Sequence, residues 1–354
     1  MKPISLFLTI VNSISLFGCS PSLRFSDRAV LWREPDDAPI ALPKTRDPMG
    51  TWIGLRDALF LPAERILDVD YGREAVNVNA LDEVPDSSWY SDPRRELGED
   101  GAVRLRPLGA EAITRGRIDG IAPVPPLTVT KGKSEGANLG FVVKDARGKK
   151  YALKIDPPGL IGLDTSTEVV VSRLAWAAGW LVPDEAIIDF HPSQLVLAPD
   201  ATMKDDFGRS LPLDAERLAQ LIAILPRRSD GTIRAVASRW IEGKIVGPFQ
   251  FYGRRPDDAN DRVPHQDRRD LRAFGTFSEW VNNIDTLENN TLDSYVGEPG
   301  RGHLVHYEQD VGGAFGARAV GPIQYWMGQD VYLAPSRIFE SLFTLGLWPR
   351  RWEG

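Results

Sequence analysis

The sequence predicts an α+β fold: a β-rich part with one main helix, then a helix leading into a second hairpin, with an extension ahead of both. Three observations carry this. Residues 127–155 read LTVTK, GKSEGAN, LGFVVKD, ARG, KKYALKI, an antiparallel meander of three strands with a glycine loop and a tight turn. A helix from about Ser166 to Ala178 follows, ended by Gly179. Far downstream, the apolar runs Leu292–Val296 and His303–Tyr307 flank a Gly/Pro/Glu turn, which reads as a second hairpin.

Composition sets the bounds. The chain has 354 residues, 42% of them hydrophobic and 26% charged, enough for one large domain or two lobes. Its net charge is −7 and its pI about 5.3, and it lacks the basic stripe that a nucleic-acid partner requires. The arginine pairs Arg254/Arg255, Arg268/Arg269 and Arg350/Arg351 are scattered and expected on solvated faces.

Cys19 is the single cysteine, so no intrachain disulfide is available. Met1-Lys2 is followed by an apolar run, Ile4 to Phe17, too short to span a bilayer. The run ends Leu16-Phe17-Gly18-Cys19-Ser20. That ending resembles a bacterial lipobox, although Phe17 is larger than the residue usual there. The resemblance implies a signal peptide over 1–18 and a diacylated Cys19. The body would then be held to a membrane by lipid chains, in the cell envelope outside the cytosol. An ordinary signal peptide is the other reading.

Residues 19–50 are rich in Pro, Asp and Arg and read as a tether, with Phe25, Leu31 and Trp32 as docking points. Residues 51–126 form an extension packed on the core. It opens with helical spacing over 51–68, interrupted at Pro62, and contains Trp89 and Tyr90 in a loop read as packed against a core. The β-rich lobe is expected over 127–251. After the meander and helix it holds a strand hairpin over 185–198 turning at Pro192-Ser193. Next come a helix capped by Asp214 running to about Leu225, and two more strands around Glu242-Gly243. The helical lobe is expected over 252–354. Its first helix, His265–Asn282, puts Leu271, Phe274, Phe277 and Val281 on one face and leads directly to Asp285. The aromatic tail, with Trp326, Phe339, Phe343, Trp348 and Trp352, reads as core packing around a short helix, Pro335–Leu345.

Several residues stand out chemically. Gly132, Gly136 and Gly140 lie in or beside the first loop, where glycine lets backbone N–H groups approach a phosphate; a flexible hairpin loop looks the same. Lys154 alternates with Ala152 on one strand face and is either an inward cation or an edge-strand surface lysine. Glu168 either completes a capping box with Thr165 or pairs with Lys154. Asp285, Asn290 five residues on, and Asp310-Val311-Gly312 flank the second hairpin. A carboxylate to orient a hydroxyl, with hard oxygen donors for Mg²⁺, is what phosphoryl transfer requires.

Taken in order, these motifs resemble the protein-kinase-like superfamily, specifically its atypical branch of HipA-type, phosphoinositide and secreted kinase-like enzymes. The resemblance runs from about Leu127 to Gly316. It implies a two-lobed kinase-like fold, with an ATP–Mg²⁺ cleft between a β-rich lobe and a small, mostly helical one. Asp285 would be the base, Asn290 and Asp310 the metal ligands, Lys154 the phosphate contact and Glu168 its partner. The chain departs from the ordinary pattern in Asn283, where His is usual, in Val311 for Phe, and in the spacing of the glycines. The expected function is an envelope-tethered phosphotransferase acting on an unidentified protein or small-molecule acceptor. The alternative is a non-catalytic lipoprotein that binds an envelope partner. A metallohydrolase is disfavoured, because His303 and His306 on one strand point to opposite faces.

Overall fold

Period-two patterning builds the main sheet. Along β5 (Lys150–Ile155), Tyr151, Leu153 and Ile155 are buried, while Ala152 and Lys154 alternate with them on the opposite face. The computed structural model describes residues 30–46, 74–99, 102–133, 139–204, 209–318 and 321–322. Among these the fold is α+β, with a seven-stranded mixed sheet, smaller sheets and four α-helices.

A short hairpin, β1 (Arg95–Leu97) and β2 (Val103–Leu105), and helix α1 (Ala110–Arg115) precede the main sheet. The meander forms as patterned: β3 (Leu127–Lys133), β4 (Gly140–Lys144) and β5 pair antiparallel. Helix α2 (Asp164–Ala177) is followed by β6 (Glu185–Phe190), β7 (Leu195–Lys204), β8 (Ser210–Pro212), α3 (Ala215–Ala223) and β9 (Ile233–Arg239). The strand order is β6-β9-β5-β4-β3-β7-β8.

The hairpin expected over 185–198 does not form. β6 pairs with β9 and β7 lies parallel to β3, so the chain leaves one edge and re-enters near the other. Strand patterning marks a strand but not its partner. The backbone from Phe190 to Leu195 reaches at most about 19 Å, whereas the five strand spacings between β6 and β7 in a flat sheet cover about 24 Å. The sheet is therefore curled. Its concave side holds Leu127, Phe141, Leu153, Phe190, Ile233 and Ala235, covered by Leu218, Leu221 and Ile222 of α3. Asp214 caps α3, accepting from Arg217 N at 2.8 Å.

The capping box of Thr165 and Glu168 is also absent. α2 starts at Asp164, and its open N–H groups are served by a carboxylate from the end of β5. Asp156 accepts from Asp164 N and Thr165 N, both at 2.9 Å, and from Thr165 Oγ1 at 2.7 Å. Glu168 is thereby released from capping.

β9 and β10 (Lys244–Ile245) lie in different sheets. β10 pairs with β11 (Thr291–Val296), which pairs with β12 (His303–Glu308), the second hairpin. Helix α4 (Arg269–Trp280) precedes this sheet and buries Leu271, Phe274 and Phe277. Strands β13 (Ala317–Arg318) and β14 (Gly321–Pro322) end the described part. Residues 30–46 dock on the hairpin sheet through Ile40, whose N–H bonds Gly302 O at 2.8 Å, while Leu31 stays exposed.

The solvated faces expected for the arginine pairs fail at Arg255 and Arg268. Both are 1% exposed. Arg255 bonds Asp293 at 2.6 Å, Asp293 bonds His306 at 2.6 Å, and Trp89 stacks on His306. Arg268 pairs with Asp270 at 2.9 Å and lies over the same Trp89 ring. Local charge density suggested solvent; Arg255 is met instead by Asp293 of β11, and Arg268 by its near neighbour Asp270 and by Glu34 of the N-terminal segment.

Cys19 and the segment 1–18, Phe25, the helix over 51–68, Gly136, Arg350/Arg351 and the aromatic tail from Trp326 onward lie outside the described residues. Among the described residues no helix is long and apolar enough to cross a membrane.

Removing one partner of a fully buried ion pair strands the other. Arg255→Ala is expected to cost about 3–5 kcal/mol in urea denaturation. Burial pushes the Asp293 carboxyl up, but His306 and Arg255 outweigh it and hold it below the usual carboxylate range. Its share of stability is present above the unfolded carboxylate value and is lost as pH falls through the lower, folded one. Acid titrations of stability should therefore show a loss in wild type that Asp293→Asn lacks.

Candidate active site

Lys154 is the meeting point of three distant segments. Its Nζ donates to Glu168 Oε1 on α2 at 3.0 Å and to Asp310 Oδ1, in the loop after β12, at 2.7 Å. The Lys154 side chain is 14% exposed, Glu168 2% and Asp310 45%, so the charge triad opens to solvent on the aspartate side. Strand alternation explains the aim of the lysine: its neighbours Leu153 and Ile155 fill the sheet core, and it faces α2 instead.

The loop carrying Asp310 is anchored by its next residue. Val311 is buried with Val171 and Ala175 of α2 and Phe274 and Phe277 of α4. Asp310 itself has φ +55°, the left-handed region that Asp tolerates better than most residues. Gly312 has no room for a side chain: a Cβ there would sit 2.5 Å from Glu168 Oε2 and 2.8 Å from Asp164 Oδ1. The glycine thus lets this loop close on the first turns of α2.

Asp285 and Asn290 are stitched to the same loop. Ile284 N bonds Gly313 O at 2.9 Å, and Gln309 N bonds Asn290 O at 2.9 Å. Asn290 Nδ2 donates to the Asp285 carbonyl at 2.7 Å and also contacts the Asp285 carboxyl. That use of the amide nitrogen leaves the amide oxygen as the end suited to a cation. Lys154, Glu168, Asp285, Asn290 and Asp310 are therefore gathered in one place.

The glycines differ from one another. Gly140 is the register partner of Lys154, and a Cβ on it would lie 2.0 Å from Leu153 O, so backbone packing alone demands glycine. Gly132 is buried in β3 facing Met203, Leu213 and Leu221, with room for ordinary contact.

Electrostatics follow from crowding. Burial pulls the Lys154 ammonium down, but Asp310, Glu168 and Glu185 together hold it well above the ordinary lysine value. Burial pushes Glu168 up; Lys154 opposes this, while Asp310 adds to it. Asp285 is raised chiefly by burial and also by Asp310, against the lowering effect of Asn290. A carboxylate with a raised pKa is a better proton acceptor, as a general base requires.

The donor set suits a hard cation. Among the described residues no three His, Cys, Asp or Glu side chains form a metal centre unaided. One carboxylate and one amide, Asp310 and Asn290, match the sparse protein ligation that Mg²⁺ accepts when it keeps waters or phosphate oxygens.

Sequence reading missed Glu185, the buried first residue of β6, and Asp156, the true cap of α2. An acid opening a strand looks exposed in sequence, and no spacing rule links it to Glu168. Gly312→Ala is expected to push on Glu168 and Asp164 and to cost about 1–3 kcal/mol, read by thermal denaturation. Gly253→Ala, where nothing lies within 4 Å but φ is +71°, tests backbone strain alone.

Compared with protein-family models, curated proteins and solved structures, the chain gives no match.

Proposed function

We propose that the chain is a kinase-like phosphotransferase with a two-lobed fold, taking ATP and Mg²⁺ between the lobes and acting on an acceptor hydroxyl. Its body would be tethered in the cell envelope through lipid on Cys19. The observation that carries the reading is the Lys154 ammonium shared by Glu168 and Asp310, with Asp285 and Asn290 bound to the same loop. The seven-stranded sheet and the separate three-stranded sheet support two lobes. A purely structural solution would more cheaply place apolar residues there, because desolvating charges offsets most of what their pairing returns.

In this reading Lys154 neutralises phosphate oxygens, and Glu168 holds the ammonium in position. Asn290 and Asp310 hold the cation, which when bound neutralises charge on the transferring phosphoryl group. Asp285 accepts the proton of the acceptor hydroxyl, helped by its raised carboxyl.

Thermal shift tests nucleotide binding. A Kd of about 100 μM would give about 1.4 kcal/mol of stabilisation at about 1 mM Mg²⁺–ATP. The shift should vanish in Asp310→Ala. Asp285→Asn should keep it and lose phosphoryl transfer, and even autophosphorylation, by roughly 10²–10⁴-fold. No shift in wild type, or an equal shift in Asp310→Ala, would instead favour a non-catalytic binding lipoprotein.

A further inference from the structure

Glu168 has two carboxyl oxygens, and Lys154 takes only Oε1, at 3.0 Å. Its Oε2 is buried with no hydrogen-bond donor, beside the Cα of Gly312. Glu185, the first residue of β6, is 2% exposed, and its Oε2 is likewise buried without a donor. Arg173 of α2 ties that helix to the start of β6, Ser238 is the register partner of Glu185 on β9, and the two orphaned carboxyls are close enough for each to shift the other's proton affinity. Ionised carboxylates only accept hydrogen bonds, so two of them this close need a proton between them.

The surrounding charges point the same way. Lys154 on β5 is one ammonium facing Glu168, Glu185 and Asp310, with Asp164 close to Glu168. Among the described residues, Arg173 on α2 is a further nearby cation, and it donates to the Glu185 backbone carbonyl at 2.6 Å. Leaving both glutamates ionised would bury two repelling charges on a single lysine.

We propose that Glu185 is a positioning residue: its protonated carboxyl donates to Glu168 and so turns the other oxygen of Glu168 onto Lys154. Its effect on nucleotide binding rests on the phosphotransferase reading; the shared proton does not. Burial, reinforced by the charge of Glu168, pushes Glu185 well above the usual carboxylate range, in keeping with a proton retained at neutral pH. Because the folded value is raised, this proton stabilises the fold at low pH. The benefit fades as pH rises from the unfolded carboxylate value through the folded one. Above that, Glu168 is repelled from its place and Lys154 loses its orienting partner.

The test combines infrared spectroscopy with Mg²⁺–ATP titration of wild type, Glu185→Gln and Glu185→Ala. Gln keeps the shape and a donor but cannot ionise. The wild-type spectrum should contain the C=O stretch of a protonated acid at neutral pH, titrating away on alkalinisation, and Glu185→Gln should lack that component. Glu185→Gln should bind Mg²⁺–ATP within about threefold of wild type and without the alkaline loss, and Glu185→Ala about tenfold more weakly. A wild-type band that neither titrates nor changes in Glu185→Gln would overturn the proposal, as would Glu185→Gln binding as poorly as Glu185→Ala. If wild type binds no Mg²⁺–ATP, the phosphotransferase reading falls, and the infrared comparison still decides whether the proton is shared. Glu308, also buried and held well above the usual carboxylate range, contributes a component common to all the proteins, so the band is assigned by difference; Glu185→Gln and Glu185→Ala each give that difference, and either one suffices if the other fails to fold.

Discussion

A single ammonium, Lys154, joins parts of the chain that are 156 residues apart. It projects from the polar side of a strand whose other side fills the core, and two carboxylates reach it from a helix and from a loop. Buried charge of this kind is tolerable only when partners arrive with good geometry. Much of the surrounding structure can be understood as fixing those partners. Asp156 takes over capping of α2 and so leaves Glu168 for the lysine. Val311 pins the aspartate loop between α2 and α4, and the bare Cα of Gly312 lets the loop come close enough.

A second charged assembly holds the hairpin sheet. Arg255, Asp293 and His306 form a buried chain under the stacked ring of Trp89, and the segment 30–46 closes over it. The two assemblies differ in exposure as well as position. The Arg255 cluster is sealed: the Arg255 and Asp293 side chains are both 0% exposed. The Lys154 cluster opens toward solvent at Asp310 and, among the described residues, gathers Glu168, Glu185 and Asp310 around one lysine. Shifted proton affinities in an unevenly compensated, half-open cluster are what the proposed phosphotransferase reading draws on.

Local pattern made much of this legible in the sequence. Alternation marked β5 but left Lys154 between an inward cation and an edge-strand surface lysine, and helical spacing marked α3 and α4. Turn chemistry marked the hairpin of β11 and β12. What stayed hidden was long-range. The pairing of β7 with β3 depends on sheet curl, which no local run encodes. Thr165 and Glu168 have the spacing of a capping box, but Asp156 outcompetes it with a better-placed carboxylate. Arg255 and Arg268 sit in charged runs that look solvated, and their acids are supplied by other elements or by the fold of the loop. Glu185 looks like an edge-strand acid until β9 and α2 enclose it.

The central claim is that Lys154, Asn290 and Asp310 form one site for a magnesium-bearing nucleotide. The most direct measurement is a crystal structure with Mg²⁺ and a non-hydrolysable ATP analogue. The account predicts phosphate oxygens at Lys154 Nζ, a metal ion ligated by Asp310 and the Asn290 amide oxygen, and Glu168 still on the lysine. A nucleotide bound elsewhere, or a metal that ignores both Asn290 and Asp310, would contradict it.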